Sequence, residues 1–208
     1  MNVLSQLASA LGRNDEAPNV ALAHQLAKSA DAVGIGQLAQ ALSQADKATR
    51  HDCIKVLYEI GSQRPELIVS YWQDFVTLLG SGDNRMVWGA MTALAAIARL
   101  RSDELCRHLP DITSAIERGS VITRDNGVRV LAALIHSESH CRRQALAFAA
   151  ELLRRSRPKD VASYAEFLAN GWAGPGIKEL NAVLHARLDD LTPAQHRRVS
   201  KVLRSALH

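Results

Sequence analysis

The sequence predicts an all-α fold, a right-handed superhelix of about five stacked helix pairs, and three observations predict it. The first is composition. Of the 208 residues 47% are hydrophobic but only 4% aromatic, with Ala and Leu dominating, which favours closely packed helices over sheet. The second is the lack of any β-alternating run longer than a few residues. The third is an internal repeat of period 37. The segments "IKVLYEIG" (54–61), "MTALAAIA" (91–98) and "VRVLAALI" (128–135) align without gaps, so that Leu57, Leu94 and Leu131 stand 37 apart. The same step links Leu38, Phe75 and Ile112 upstream, and a fourth unit follows more loosely through Ala149, Leu153, Phe167 and Leu168.

Each unit reads as two helices joined by a turn. First (A) helices are expected near 33–44, 66–80, 103–118 and 140–155, and second (B) helices near 47–61, 84–99, 121–135 and 159–170. Asp46 and Asp83 are N-cap candidates just before B helices, and Pro65 and Pro175 suit first-turn positions. Pro110 should kink or split its A helix. Residues 1–30 supply an irregular leading pair, with helices at 2–12 and 17–30. After the helix-breaking "GWAGPG" (171–176), residues 176–208 form a capping pair, with helices at 176–190 and 193–207. "TPAQ" opens the last of these with a capping-box-like start at Thr192. The repeats span 32–170, and 1–208 reads as a single solenoid domain.

Helix 84–98, "NRMVWGAMTALAAIA", has no polar face and one charged residue. Its apolar run of about a dozen residues is too short to span a membrane. A two-helix repeat cannot bury its apolar face alone, so neighbouring B helices must cover this one on either side.

The successive second helices "RHDCIKVLYEIG", "NRMVWGAMTALAAIA" and "TRDNGVRVLAALI" resemble those of HEAT repeats, over roughly 32–170. The 34-residue tetratricopeptide pattern fits worse. HEAT repeats typically place an Asp in the turn and an Arg early in the B helix. Asp46 and Asp83 approximate the first, whereas the Arg column is occupied by His51, Trp88 and Asp125. The resemblance implies that B helices line a concave face. It also brings in the alkylation-repair DNA glycosylases built from HEAT-like repeats, whose aromatic and acidic cleft the column resembles only in general kind. Their full constellation does not stand at matching positions.

Other chemistry is scarce. The "RHD" pair at 50–52 has no second ligand set at metal spacing, and no phosphate-binding or dinucleotide glycine motif occurs. No catalytic, cofactor or metal residues are assigned, and a non-enzymatic protein is expected. Cys53, Cys106 and Cys141 are widely spaced in apolar helical contexts and read as buried thiols of a reducing compartment. The N-terminus lacks the basic region of a secretory signal, and a cytoplasmic protein is expected.

Charge is uneven: residues 1–100 carry a formal −1 and residues 101–208 carry +5. On the first B helix Asp52, Lys55 and Glu59 are expected on the exposed stripe. The matching columns give Gly89, Thr92 and Ala96, then Asn126, Arg129 and Ala133, a small and nearly uncharged centre that a partner could approach closely or that merely permits tight curvature. The A-to-B turns gather Lys47, Arg50, Arg85, Arg118, Arg124, Arg154, Arg155, Arg157 and Lys159 along one edge, near helix N-termini that suit anions. Arg197, Lys201 and Arg204 form a basic stripe on the last helix, which fits a polar cap.

The expected function is a protein-interaction scaffold that holds a partner polypeptide on the concave face. Its binding residues are Arg50, Lys55, Arg85, Trp88, Arg124, Asp125 and Arg129. The Arg side chains would meet carboxylates or phosphates, and Trp88 would serve as an apolar anchor. The alternative is nucleic-acid binding along the basic edge.

Overall fold

The structure is a computed structural model and describes residues 2–137, 140–169 and 177–205. Among these, all regular structure is helical. Twelve α-helices follow in order: α1 (Ala17–Ser29), α2 (Ala32–Gln44), α3 (Lys47–Gln63), α4 (Trp72–Leu78), α5 (Asn84–Ile97), α6 (Ser102–Arg107), α7 (Leu109–Arg118), α8 (Val121–His136), α9 (Arg142–Arg155), α10 (Pro158–Ala169), α11 (Ile177–Ala186) and α12 (Pro193–Ser205). The chain divides into two compact units, residues 1–101 with 114–126, and residues 102–113 with 127–208.

The repeat register fixes the core. Leu57, Leu94 and Leu131 are fully buried, as are Leu38, Phe75 and Ile112, so the 37-residue step picks out the same packing position in successive helices. Local signals start the helices where expected. The Asp46 carboxylate accepts from the N–H groups of Ala48 and Thr49 at 2.9 and 3.2 Å, and Asp83 accepts from Arg85 N–H at 3.0 Å. Each satisfies donors that the first turn of a helix leaves unpaired. Thr192 and Gln195 form the reciprocal capping box: Thr192 N–H donates to the Gln195 side chain at 2.9 Å and Gln195 N–H to the Thr192 hydroxyl at 3.4 Å.

One A helix departs from the continuous rod expected, and another is split as its proline predicts. Residues 65–71 form two short 3-10 turns, Pro65–Leu67 and Val69–Tyr71, before α4 begins. A Cβ at Gly61 would lie 2.5 Å from the Ile68 side chain, so the missing methyl lets this turn lie directly on α3. In the third repeat the A element is split into α6 and α7 at His108, two residues before Pro110, where the proline ring forbids a continuous helix. The expected helix at 2–12 is instead a 3-10 turn, Val3–Gln6, followed by further turns. The GWAGPG turn and Pro175 lie outside the described residues.

In the first unit α3 packs against α1 on one side and α5 on the other, and α2 backs it. Helix α1 therefore acts as an additional B helix, which corrects the exposed stripe expected on α3. Asp52 and Lys55 are each only 8% exposed. Asp52 accepts from Ser9 N–H and from the Asn19 amide, both at 2.7 Å, and Asn19 in turn accepts from Ala8 N–H at 2.9 Å. A buried carboxylate carries a large desolvation cost unless it is hydrogen-bonded in this way. The network fastens the N-terminal turns onto α3.

In the second unit α10 packs against α12, and α9 against α11. The Arg187 guanidinium donates to the carbonyls of Leu153, Arg154 and Ser156, which satisfies the free C-terminal end of α9. The cysteine reading is corrected here. Cys106 and Cys141 are joined by a disulfide, with Cα atoms 5.6 Å apart, and Cys53 alone is a free, buried thiol. Residues 35 apart in sequence meet because α6 and the start of α9 are brought together by the helices between them, a juxtaposition no short-range spacing reveals.

Candidate functional site

The side chains with the most chemistry on the B helices of the first unit stand around Lys55 and Arg85. Lys55 Nζ lies 2.7 Å from Glu59 and 3.0 Å from Glu16. The other oxygen of Glu16 accepts from Arg85 Nη2 at 2.8 Å. Glu16 occupies the N-cap position of α1 but makes no capping hydrogen bond there; its carboxylate reaches across to α3 and α5 instead. Burial acts to lower the Lys55 ammonium, and its contacts with Glu59, Tyr58 and Glu16 outweigh that and raise it. Lys55 is a fixed positive charge at any physiological pH.

One turn along α3, Tyr58 lies under Lys55, whose nitrogen is 5.0 Å from the ring centroid, a cation–π contact. One turn along α5 from Arg85, Trp88 stands with its ring centroid 5.6 Å from that of Tyr58, at an interplanar angle of 54°. Both rings are half-buried. Burial pushes the Tyr58 hydroxyl up, despite the opposing effect of Lys55. Beyond Trp88 a hydrogen-bond chain continues: Thr92 donates to the Trp88 carbonyl at 2.8 Å, and the Asn126 amide on α8 donates to the Thr92 hydroxyl at 2.9 Å.

The structure therefore brings together three of the expected site residues, Lys55, Arg85 and Trp88, and adds Glu16 and Tyr58. Tyr58 was legible as the i+3 neighbour of Lys55 on one helix face. Glu16, 69 residues from Arg85 in sequence, carried no signal. Arg50 is half-buried on α3, and its Nε has no hydrogen-bond partner among the described residues. Arg124 is turned to its own repeat, donating to the carbonyls of Ile116 and Glu117. Asp125 is half-buried on α8. In the second unit Arg129 is exposed and stacks on Phe167, 3.7 Å from the ring centroid.

Two expected surfaces change character. In the column of His51, Trp88 and Asp125, His51 is engaged elsewhere: its Nε2 meets the Asp83 carboxylate at 2.7 Å, with Lys47 3.8 Å from the same oxygen. This joins α3 to the cap of α5. Burial alone would raise the Asp83 carboxyl, but the His51 and Arg85 N–H hydrogen bonds, with the charges of His51 and Lys47, hold it below the usual range. Gly89 is not on an open face. It is buried, and a Cβ there would meet Ile54 at 2.7 Å, so this small residue serves the close approach of α3 and α5.

Much of the basic edge is already engaged within the chain. In the first unit Lys47 faces Asp83, Arg85 holds Glu16, and Arg118 and Arg124 donate to backbone carbonyls. In the second, Arg154 pairs with Glu151 and Glu179, and Arg157 with Asp160. On α12, Arg197, Lys201 and Arg204 are exposed, whereas Arg198 is held by Glu166 at 2.6 Å. Among the described residues no group of three or more His, Cys, Asp or Glu could hold a metal ion, and no helix is long and apolar enough to cross a membrane.

No protein-family model and no curated protein matches the chain. Its likeness is to solved helical-repeat structures. A designed armadillo repeat protein matches with a TM-score of 0.69 at 16% identity, over 99% of this chain and 100% of that one. A second designed armadillo repeat protein, solved in complex with the peptide (KR)4, matches with a TM-score of 0.67 at 18% identity, over 98% of each chain. An engineered protein matches with a TM-score of 0.65 at 21% identity, over 99% of this chain and 98% of that one. These likenesses show the fold: an all-α helical-repeat solenoid like that of the designed armadillo proteins.

Proposed function

We propose that the protein is a non-enzymatic scaffold that holds a partner polypeptide on the concave face formed by the second helices of its repeats. The observation that carries the reading is the ring pair Tyr58 and Trp88, half-buried and flanked by Lys55 and Arg85 on α3 and α5. A large aromatic with apolar area still open, ringed by polar groups, is the usual composition of a binding hot spot. The fold supports the reading, because a designed armadillo protein of this fold was solved with a peptide bound.

The test is to select peptides against the immobilised chain from a displayed library and to measure their affinity calorimetrically for wild type and Trp88→Ala. Loss of a central anchor should weaken binding by roughly tenfold or more. Failure to recover any saturable peptide ligand, or equal affinity for the variant, would overturn the reading. Nucleic-acid binding along the edge would instead show affinity for DNA or RNA falling steeply with salt and losses spread over several Arg substitutions. The internal pairing of those Arg residues weighs against it.

A further inference from the structure

We infer that the Lys55–Arg85 pair is a carboxylate seat for an acidic partner peptide, and that Glu16 fills that seat from within the chain until the partner displaces it. The inference rests on the peptide-scaffold reading and names the chemistry of the ligand.

The geometry of the seat is the argument. Two cations on neighbouring helices converge on one carboxylate, Lys55 on Oε2 at 3.0 Å and Arg85 on Oε1 at 2.8 Å. Each oxygen has its own cation, which is how a protein grips a carboxylate with fixed orientation. The two sides of this contact are held very differently. The Lys55 side chain is 10% exposed and fixed by Glu59, and that of Arg85 is one-third exposed. The Glu16 side chain is 47% exposed. It hangs from the first residue before α1 and has given up the capping bond that position offers. The contact is open to solvent on its Glu16 side, where another anion can approach and take the carboxylate's place.

Charge complementarity selects the occupant. With Glu16 seated, Lys55, Arg85, Glu16 and Glu59 sum to zero. With Glu16 withdrawn, Arg85 loses its one acidic partner among the described residues and the seat becomes net positive. A basic peptide would meet two cations there, and a neutral one would leave them unpaired. A peptide carboxylate restores the pairing, and Trp88 and Tyr58, one turn further along α5 and α3, offer an apolar contact beside it. The ligand is a polypeptide with an Asp or Glu adjacent to an apolar residue.

The experiment uses fluorescence anisotropy with three labelled peptides of equal length and apolar content, rich respectively in Glu, Lys and Ser. They are titrated into wild type, Glu16→Gln, Arg85→Gln and the double variant. Wild type should prefer the Glu-rich peptide. Glu16→Gln should tighten that binding by roughly two- to fivefold, and Arg85→Gln should weaken it by about tenfold. The gain from Glu16→Gln should vanish in the Arg85→Gln background, because both act at one seat. If the gain persists there, Glu16 acts only as a distant negative charge and the inference fails. If Glu16→Gln leaves the Glu-rich peptide unaffected, or if the Lys-rich peptide binds best, the carboxylate seat is wrong while the scaffold reading stands. If none of the three binds and library selection also yields no ligand, the scaffold reading itself is wrong.

Discussion

Arg85 and Glu16 meet at 2.8 Å across 69 residues of sequence. The contact makes the residue that opens α1 part of the surface built by α3 and α5, so the leading segment belongs to the B-helix face as well as to the cap of the repeat array. The same segment is anchored on both sides of Glu16, where Ser9 and Asn19 close over Asp52.

That anchor is testable. Asn19 is fully buried and bonds both to Asp52 and to the Ala8 N–H. Asn19→Ala leaves one oxygen of the buried Asp52 carboxylate and the Ala8 N–H without their partners, the other oxygen still accepting from Ser9 N–H, and should cost about 2–4 kcal/mol. Urea denaturation measures this. A midpoint within error of wild type would show that the network contributes nothing to stability.

The seam between α3 and α5 gives a second expectation. Gly89→Ala places a methyl 2.7 Å from Ile54 and should destabilise by about 1–3 kcal/mol through overpacking. Ile54→Ala, which removes both γ carbons that the methyl would meet, should cost less in the Gly89→Ala background than in the wild type. Losses that simply add would contradict the close approach described here.

Acid should act through Asp83. Its folded carboxyl titrates below the unfolded value of about 4, because the His51 and Arg85 N–H bonds and the charges of His51 and Lys47 outweigh the opposing effect of burial. A depressed acid stabilises fully above its unfolded pKa, and the contribution is lost as the pH falls through the folded one. Asp83→Asn, which keeps a cap, should therefore lower stability near neutrality and flatten its decline below about pH 4. Parallel acid limbs for the two proteins would refute the linkage.

Thiol counting checks the cysteine arrangement. Burial, with added repulsion from Asp52 and Asp46, pushes the Cys53 thiol up to about 12, and a thiol that stays protonated does not react. The folded, unreduced protein should take up no alkylating reagent at pH 8. In denaturant without reductant it should take up one equivalent, and after reduction three. Three equivalents without reductant would exclude the Cys106–Cys141 bond.

The repeat architecture was legible because it is written locally. An apolar residue every three or four positions, an Asp before each of two B helices and a recurrence of 37 residues each follow from short-range physics. Leu57, Leu94 and Leu131 could be found in the core from their spacing alone. Polar side chains were harder. Lys55 was placed on the right helix, but its burial depends on Glu16 and Glu59 closing over it. Arg124 looked available and is spent on two carbonyls of its own repeat. His51 looked aligned with Trp88 and turned to Asp83. In each case a deciding neighbour lies outside the residue's own helix, and periodicity fixes which face a residue occupies without fixing what stands opposite.

The Cys106–Cys141 bond has a mechanical meaning as well. It closes a covalent loop whose ends are 35 residues apart, containing α7 and α8. A force applied to the two chain termini passes directly from α6 to α9 through sulfur, and the enclosed helices bear none of it. Stretched to full extension, the oxidised chain falls short of the reduced one by about 120 Å, at ~3.5 Å for each bypassed residue.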